Sequence, residues 1–165
     1  MIIKYKNKNL YINQFKLKCC IGKAGIKKKK LEGDKGTPLG KFKLGNLYFR
    51  ADKTKNIKTN LTAISIKKNM GWCNDTRSTK YNKLINIRGD IKLSYEKLFR
   101  KDFKYDLMIP IYYNYFKVKK NYGSAIFIHL TKSYKPTAGC LALSKKDFLI
   151  MIKLINKNSK IVIEN

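Results

Sequence analysis

The stretch "FKLKCCI", residues 15–21, alternates apolar and basic side chains until its cysteine pair, and short runs of this kind dominate the chain. Successive side chains of a β-strand point to opposite faces, so a period of two specifies strands lying half-buried on a core. "IIKY" and "LYINQFKLKCCI" read as a hairpin over residues 1–21, with "NKN" supplying the turn. "KFKLGNLYF" and "LTAISI" read as strands separated by a polar loop at 51–60. "YDLMIPIYYN" and "SAIFIHL" are apolar on both faces and rich in β-branched and aromatic residues, which predicts buried strands, and "KIVIE" closes the chain as another. Helical spacing is clear once. Ser144 with Asp147 three residues later is a capping signal, and Phe148, Met151, Ile152 and Ile155 then share one face. Ser94 predicts an N-cap for one or two helical turns through "YEKLF". The expected fold is mainly β, with one C-terminal helix and short helical turns.

Two long segments fit neither period. "GKAGIKKKKLEGDKGTPLG" carries too many breakers for strand or helix, and "KKNMGWCNDTRSTKYNKLINIRGD" reads as an excursion packed on the sheet by Trp72 and Tyr81. Loops this long are often functional. The 165 residues, 44% of them hydrophobic, suffice for one core, so residues 1–165 are expected to form a single domain.

The charge is extreme: 38 Lys and Arg against 10 Asp and Glu give a formal +28. Such a field attracts nucleic acid, anionic lipid and acidic wall polymers alike and does not choose among them. Arg, the residue suited to bidentate phosphate recognition, is sparse. A chain crowded with Lys, Asn, Ile and Tyr also fits AT-rich coding drift, so the charge predicts non-specific polyanion attraction and no specific nucleic-acid partner. Two local patterns agree with that. Gly22, Lys23, Ala24 and Gly25 match a KH-type GXXG loop, but that loop must join two helices, and a strand-like run precedes it here. "GTPLGKF" lacks both ends of a phosphate loop and reads as a pair of turns.

Cys19, Cys20, Cys73 and Cys140 show neither disulfide nor metal-ligand spacing, and a single His cannot complete a His-rich site, so no metal is expected. Cys19 and Cys20 are expected to be buried in a strand. "MIIKYKNKNLYINQF" breaks every apolar run with Lys or Asn, so no secretory signal is visible, and no run is long enough to span a bilayer. On these residues alone the chain reads as cytoplasmic, or as a mature form without its leader.

"AIFIHLTKSYKPTAGCLAL", residues 125–143, holds the only histidine, His129, together with Cys140. Singly, a His in an apolar strand is more often a core residue and a lone Cys a small hydrophobe. The polar loop between them, ending in Thr137-Ala138-Gly139, lets the chain double back and set the thiol beside the strand end that carries the imidazole. A thiol needs a neighbouring base to be a good nucleophile at neutral pH, and Gly139 lets backbone N–H groups approach a reacting carbonyl. If this is a thiol enzyme, Cys140 and His129 are its nucleophile and base.

"FIHLTKSYKPTAGCLALS" resembles the catalytic segment of the L,D-transpeptidase (YkuD-like) family, a His followed by Ser/Thr-X-Gly-Cys. "EGDKGTPLGKFKLGNLYFR" resembles the family's upstream segment, with its "TPxG" turn before a core strand, and "GWCNDTRSTKYNKLI" and "YDLMIPIYYN" resemble further stretches, so the likeness spans roughly residues 20–163. It departs where Ala138 replaces a His that often precedes Gly-Cys, and where Ala142 replaces an Arg common two positions after the Cys. The resemblance implies the family's β-rich catalytic domain and cysteine-dependent acyl transfer on peptidoglycan stem peptides through a Cys140 thioester. It implies a backbone carbonyl at Leu130 orienting His129, Gly139 and Cys140 N–H groups holding the oxyanion, Thr137 supporting the loop, and no cofactor. It also implies a place in the periplasm or cell envelope. Two readings stand beside it: a basic nucleic-acid or polyanion-binding module without catalysis, and a retired domain or other cysteine hydrolase.

Overall fold

The computed structural model describes residues 1–28, 31–89 and 92–164. Strands β1 (Ile2–Lys6), β2 (Asn9–Ile12) and β3 (Phe15–Cys20) form an antiparallel meander. The expected two-stranded hairpin is thus three strands, because Asn13, at φ +50°, turns "LYINQFKLKCCI" back on itself. The alternation holds: Ile3, Tyr5, Leu10, Ile12, Leu17 and Cys19 are buried while the intervening lysines are exposed. Chain order continues with β4 (Ile26–Lys27), β5 (Thr37–Pro38), β6 (Gly40–Lys43), β7 (Leu47–Phe49) and β8 (Ala63–Ser65). The segment expected to be free of strand therefore contains a short parallel pair, β4 with β5.

The excursion contributes β9 (Met70–Cys73) and β10 (Leu84–Asn86), which pair with β11 (Tyr95–Lys97) as a separate three-stranded sheet. This corrects the expectation of short helical turns after Ser94. Tyr95–Lys97 is strand, recruited by antiparallel pairing with β9, and the Ser94 hydroxyl donates to Asn74 Oδ1 at 2.6 Å instead of capping a helix. The remaining strands are β12 (Leu107–Pro110), β13 (Phe127–Leu130), β14 (Leu141–Leu143) and β15 (Lys160–Ile163). The one helix among the described residues, α1 (Lys145–Leu154), starts where the capping signal lies: Ser144 Oγ accepts from the Asp147 N–H at 3.1 Å.

Ten strands make one mixed sheet in the order β6-β15-β1-β2-β3-β14-β13-β12-β7-β8. Its two faces carry different cores. On one, Ile128, Leu130, Leu141 and Leu143 join Leu10, Ile12, Leu107 and Ile109 beneath Phe148, Met151, Ile152 and Ile155 of the helix segment. Each such side chain, fully buried, contributes roughly 1.5–3 kcal/mol. On the other, Phe127, Met108 and Cys140 pack with Trp72, Leu98 and Tyr105 from the excursion and the segment that follows it. Alternation along β13 therefore sends Ile128 and Leu130 into the large core and Phe127 and His129 to the second face.

Candidate active site

In the parallel pair β13–β14, His129 lies opposite Ala142 and Ile128 opposite Leu141. Continued by one residue, this register sets Cys140 beside Phe127, and the Phe127 N–H donates to Cys140 Sγ at 3.4 Å. Cys140 and His129 are thus diagonal neighbours on one face of adjacent central strands. Both line a cavity of about 650 Å³, together with Leu130, Thr137, Ala138 and Ala142. The return loop that sequence suggested is what brings them there.

The imidazole is 7% exposed. Its Nδ1 lies 2.9 Å from the Leu130 carbonyl oxygen. A carbonyl only accepts, so Nδ1 carries the proton and Nε2 is left as the basic nitrogen. Burial pulls the His129 pKa down to about 4; the Lys104 and Arg100 charges add to the fall and the Leu130 carbonyl opposes it. The ring is consequently neutral at pH 7. Its position is set from the side by Tyr105, whose ring meets it edge-on at 5.5 Å. Tyr105 in turn donates through its hydroxyl to Glu96 of β11. Neither Tyr105 nor Glu96 carries a motif that singles it out in the sequence.

The thiol S–H donates to the Ala125 carbonyl at 3.4 Å. Ala125 sits at φ +52°, a conformation costly for a residue with a Cβ. It is held there by Asn82, whose Oδ1 accepts both the Ala125 N–H at 3.1 Å and the Trp72 Nε1–H at 2.9 Å. Asn82 Nδ2 donates to the carbonyls of Tyr113 and Asn114. The excursion expected to pack through Trp72 and Tyr81 therefore also fixes the backbone against which the thiol rests.

Thr137 ties its own loop, accepting the Gly139 N–H at 3.2 Å while donating to the Cys140 carbonyl at 2.6 Å. In this state Gly139 cannot at the same time donate to an oxyanion. Gly139 has φ +136°, which excludes a side chain. Its carbonyl accepts from the Thr37 hydroxyl at 2.9 Å, and the same oxygen of Thr37 accepts the Gly22 N–H at 2.9 Å. Gly22 and Thr137 form a parallel bridge, and a Cβ on Gly22 would fall 2.3 Å from the Lys35 carbonyl and 2.9 Å from the Gly139 Cα. The "GXXG" and "TPLG" patterns are thus parts of a brace under the cysteine loop. Thr37, wholly buried, is a supporting residue that sequence reading as a simple turn missed.

The other thiols lie elsewhere. Cys19 and Cys20 are buried in β3, where burial raises both pKa values, and Cys73 is buried in β9. Among the described residues no group of three His, Cys, Asp or Glu is placed to hold a metal ion, and no helix is long and apolar enough to cross a membrane.

A thiol and a neutral imidazole across adjacent strands, each oriented by a backbone carbonyl, form the arrangement around which the Thr-Ala-Gly-Cys loop is built. A family profile described as the L,D-transpeptidase catalytic domain (YkuD) matches residues 1–163. The chain belongs to this family. The YkuD assignment covers every residue of the site and all three sheets. Two solved structures of the helical cell shape determining protein Pgp2 from Campylobacter jejuni, one of them its K307A mutant, share the fold, with TM-scores of 0.53 and 0.52 at 18% and 17% identity. They cover 99% of this chain, which spans only 47% and 46% of theirs. No curated protein matches the chain.

Proposed function

We propose that the chain performs cysteine-dependent acyl transfer on peptidoglycan stem peptides, as an L,D-transpeptidase or, with water as acceptor, an L,D-carboxypeptidase. The observation that supports this most is the placement of Cys140 and His129 on one face, in one cavity, with the imidazole neutral and its Nδ1 proton held by Leu130. His129 Nε2 takes the thiol proton as Cys140 Sγ attacks the carbonyl between the L-centre of a diamino acid and a terminal D-Ala. The Cys140 N–H meets the oxyanion, and the Gly139 N–H joins it on releasing Thr137. The imidazolium then returns its proton to the departing amine of D-Ala, leaving a thioester. An amine of a second stem resolves it into a cross-link, or water resolves it into the shortened stem. Proton transfer during attack suits a site in which burial disfavours a standing imidazolium.

Arg100 and Lys104 line the same cavity as Ala142, which stands where the family commonly has an Arg, and supply positive charge for the substrate's terminal carboxylate. The +28 surface retains the protein on an anionic wall without selecting a sequence of residues or sugars. Such work places the protein in the cell envelope.

Release of D-Ala from a tetrapeptide stem tests the reading. Cys140→Ala abolishes release while the thermal midpoint stays near wild type, whereas Cys19→Ala, Cys20→Ala and Cys73→Ala keep turnover. Wild-type turnover by Cys140→Ala contradicts the assignment.

A further inference from the structure

The sulfur of Cys140 rests between two backbone groups of one short stretch. The Ala125 carbonyl accepts its S–H and the Phe127 N–H donates to it, each at 3.4 Å. Where the thiol stands therefore depends on the path of the chain from 125 to 127. Unaided, the chain would not take that path, because φ +52° at Ala125 lies in the left-handed region that a Cβ disfavours. Strain of this kind persists only where the surroundings enforce it, and it gathers at functional sites.

The enforcement comes from Asn82 and Trp72, neither of which lines the cavity. Asn82 is 3% exposed and spends the whole hydrogen-bonding capacity of its amide. Its Oδ1 takes the Ala125 N–H and the Trp72 Nε1–H, while Nδ2 donates to the Tyr113 and Asn114 carbonyls at 3.0 and 2.7 Å. Turning the amide over would set donors against donors and acceptors against acceptors, so only one orientation fits. The Asn82 backbone N–H is anchored on the Cys73 carbonyl at 2.8 Å. Trp72, the only tryptophan, meets the Phe127 ring edge-on with centroids 5.2 Å apart. One hydrogen-bonded pair thus holds Ala125 by its N–H and Phe127 by its ring, the two residues that touch the sulfur. A glycine at 125 would follow the same path freely; with alanine the path lasts only while Asn82 holds it.

We propose that Asn82 is a positioning residue for acyl transfer, acting with Trp72 through Ala125 and Phe127 to set the place from which the Cys140 sulfur attacks. As His129 Nε2 takes the S–H proton, the Ala125 carbonyl loses its donor and the Phe127 N–H stays on the thiolate, so the sulfur is released on one side only. The inference rests on Cys140 being the nucleophile of the proposed reaction, but the placement of the sulfur is measurable without that chemistry.

Asn82→Gly tests it, since glycine keeps the φ +59° of this position and removes the amide. The infrared S–H stretching band of Cys140 is isolated by subtracting the matching Cys140→Ala spectrum at mildly acidic pH, where an ordinary thiol keeps its proton. It should lie at the lower frequency of a bonded thiol in wild type and move up in Asn82→Gly. Labelling of Cys140 by a carbapenem should slow by about ten- to a hundredfold, the cost of a misplaced reacting group. Adding Ala125→Gly should recover most of the lost rate, because position 125 then keeps its conformation without being held, whereas Ala125→Gly alone should label like wild type. Folding is checked by the thermal midpoint and by the buried Cys19 and Cys73 staying unreactive to iodoacetamide. Should Asn82→Gly not fold, Asn82→Ser, whose hydroxyl ends one bond short of the Ala125 N–H, is read in the same way. An unmoved band, a wild-type labelling rate, or a slowing that Ala125→Gly does not recover overturns the proposal. A band that moves in a chain that no carbapenem labels sinks only the acyl-transfer reading, and labelling of wild type with an unmoved band sinks only the positioning role.

Discussion

At His129, burial decides the protonation state before any partner does. Its ordinary pKa of 6.5 falls to about 4 in the folded chain, chiefly because a charged ring would lose its water. Between those values the unfolded chain binds a proton that the native chain does not, so stability rises with pH across the window. The contribution is complete above about pH 6.5 and is lost as pH falls through about 4, with a ceiling on the order of 3 kcal/mol. Glu96 titrates in the opposite sense, its raised pKa costing stability as pH climbs, so the wild-type curve alone does not isolate the histidine. The difference in urea midpoint between wild type and His129→Gln does. It should move in favour of wild type from about pH 4 to about pH 6.5 and then level off. A pH-independent difference would show that the imidazole is not held neutral by burial.

The elements around the cysteine loop were legible to different degrees, and length explains the difference. Strand β1, the β2–β3 stretch and α1 announce themselves because five or more residues, or nearly three capped helical turns, carry their period. Strands β4, β5, β9, β10 and β11 have two to four residues each, too few for a period, and exist through pairing partners. Tyr95–Lys97 shows the override directly, since a good N-cap residue at Ser94 is outvoted by β9. The brace from Thr37 to Gly139 spans 102 positions, so no local signal could reveal it. Thr37→Val keeps the shape but removes the hydroxyl, leaving the buried Gly22 N–H and Gly139 carbonyl unsatisfied. A stability loss of roughly 2–6 kcal/mol is expected, at about 1–3 kcal/mol for each of the two orphaned groups. Acylation of Cys140 should slow as well, and Thr37→Ser should recover most of both. Thermal unfolding with a parallel labelling time course checks this, and equal labelling rates for the Val variant and wild type would remove Thr37 from the support of the site.

Over the whole molecule, the mixed sheet separates stability from chemistry by its two faces. The helix-covered face holds the large apolar core, and the other presents His129, Cys140 and their shared cavity under the three-stranded sheet. The sequence marked the thiol and imidazole because they sit in one short segment, but the cavity they line is completed by residues 32, 33, 74, 96, 100, 103–105 and 124–126, whose meeting only the fold reveals. The proposed chemistry requires that Cys140 be acylated with His129 as its base. Intact-protein mass spectrometry after exposure to a carbapenem, an acylating agent expected to react with this family, tests it most directly. One adduct per chain is expected, on the peptide containing "PTAGCLALSK", with His129→Ala labelling slower by roughly a hundred- to ten-thousand-fold at neutral pH and partly recovering as pH rises. An adduct on Cys140→Ala, or wild-type labelling speed in His129→Ala at neutral pH, would contradict it.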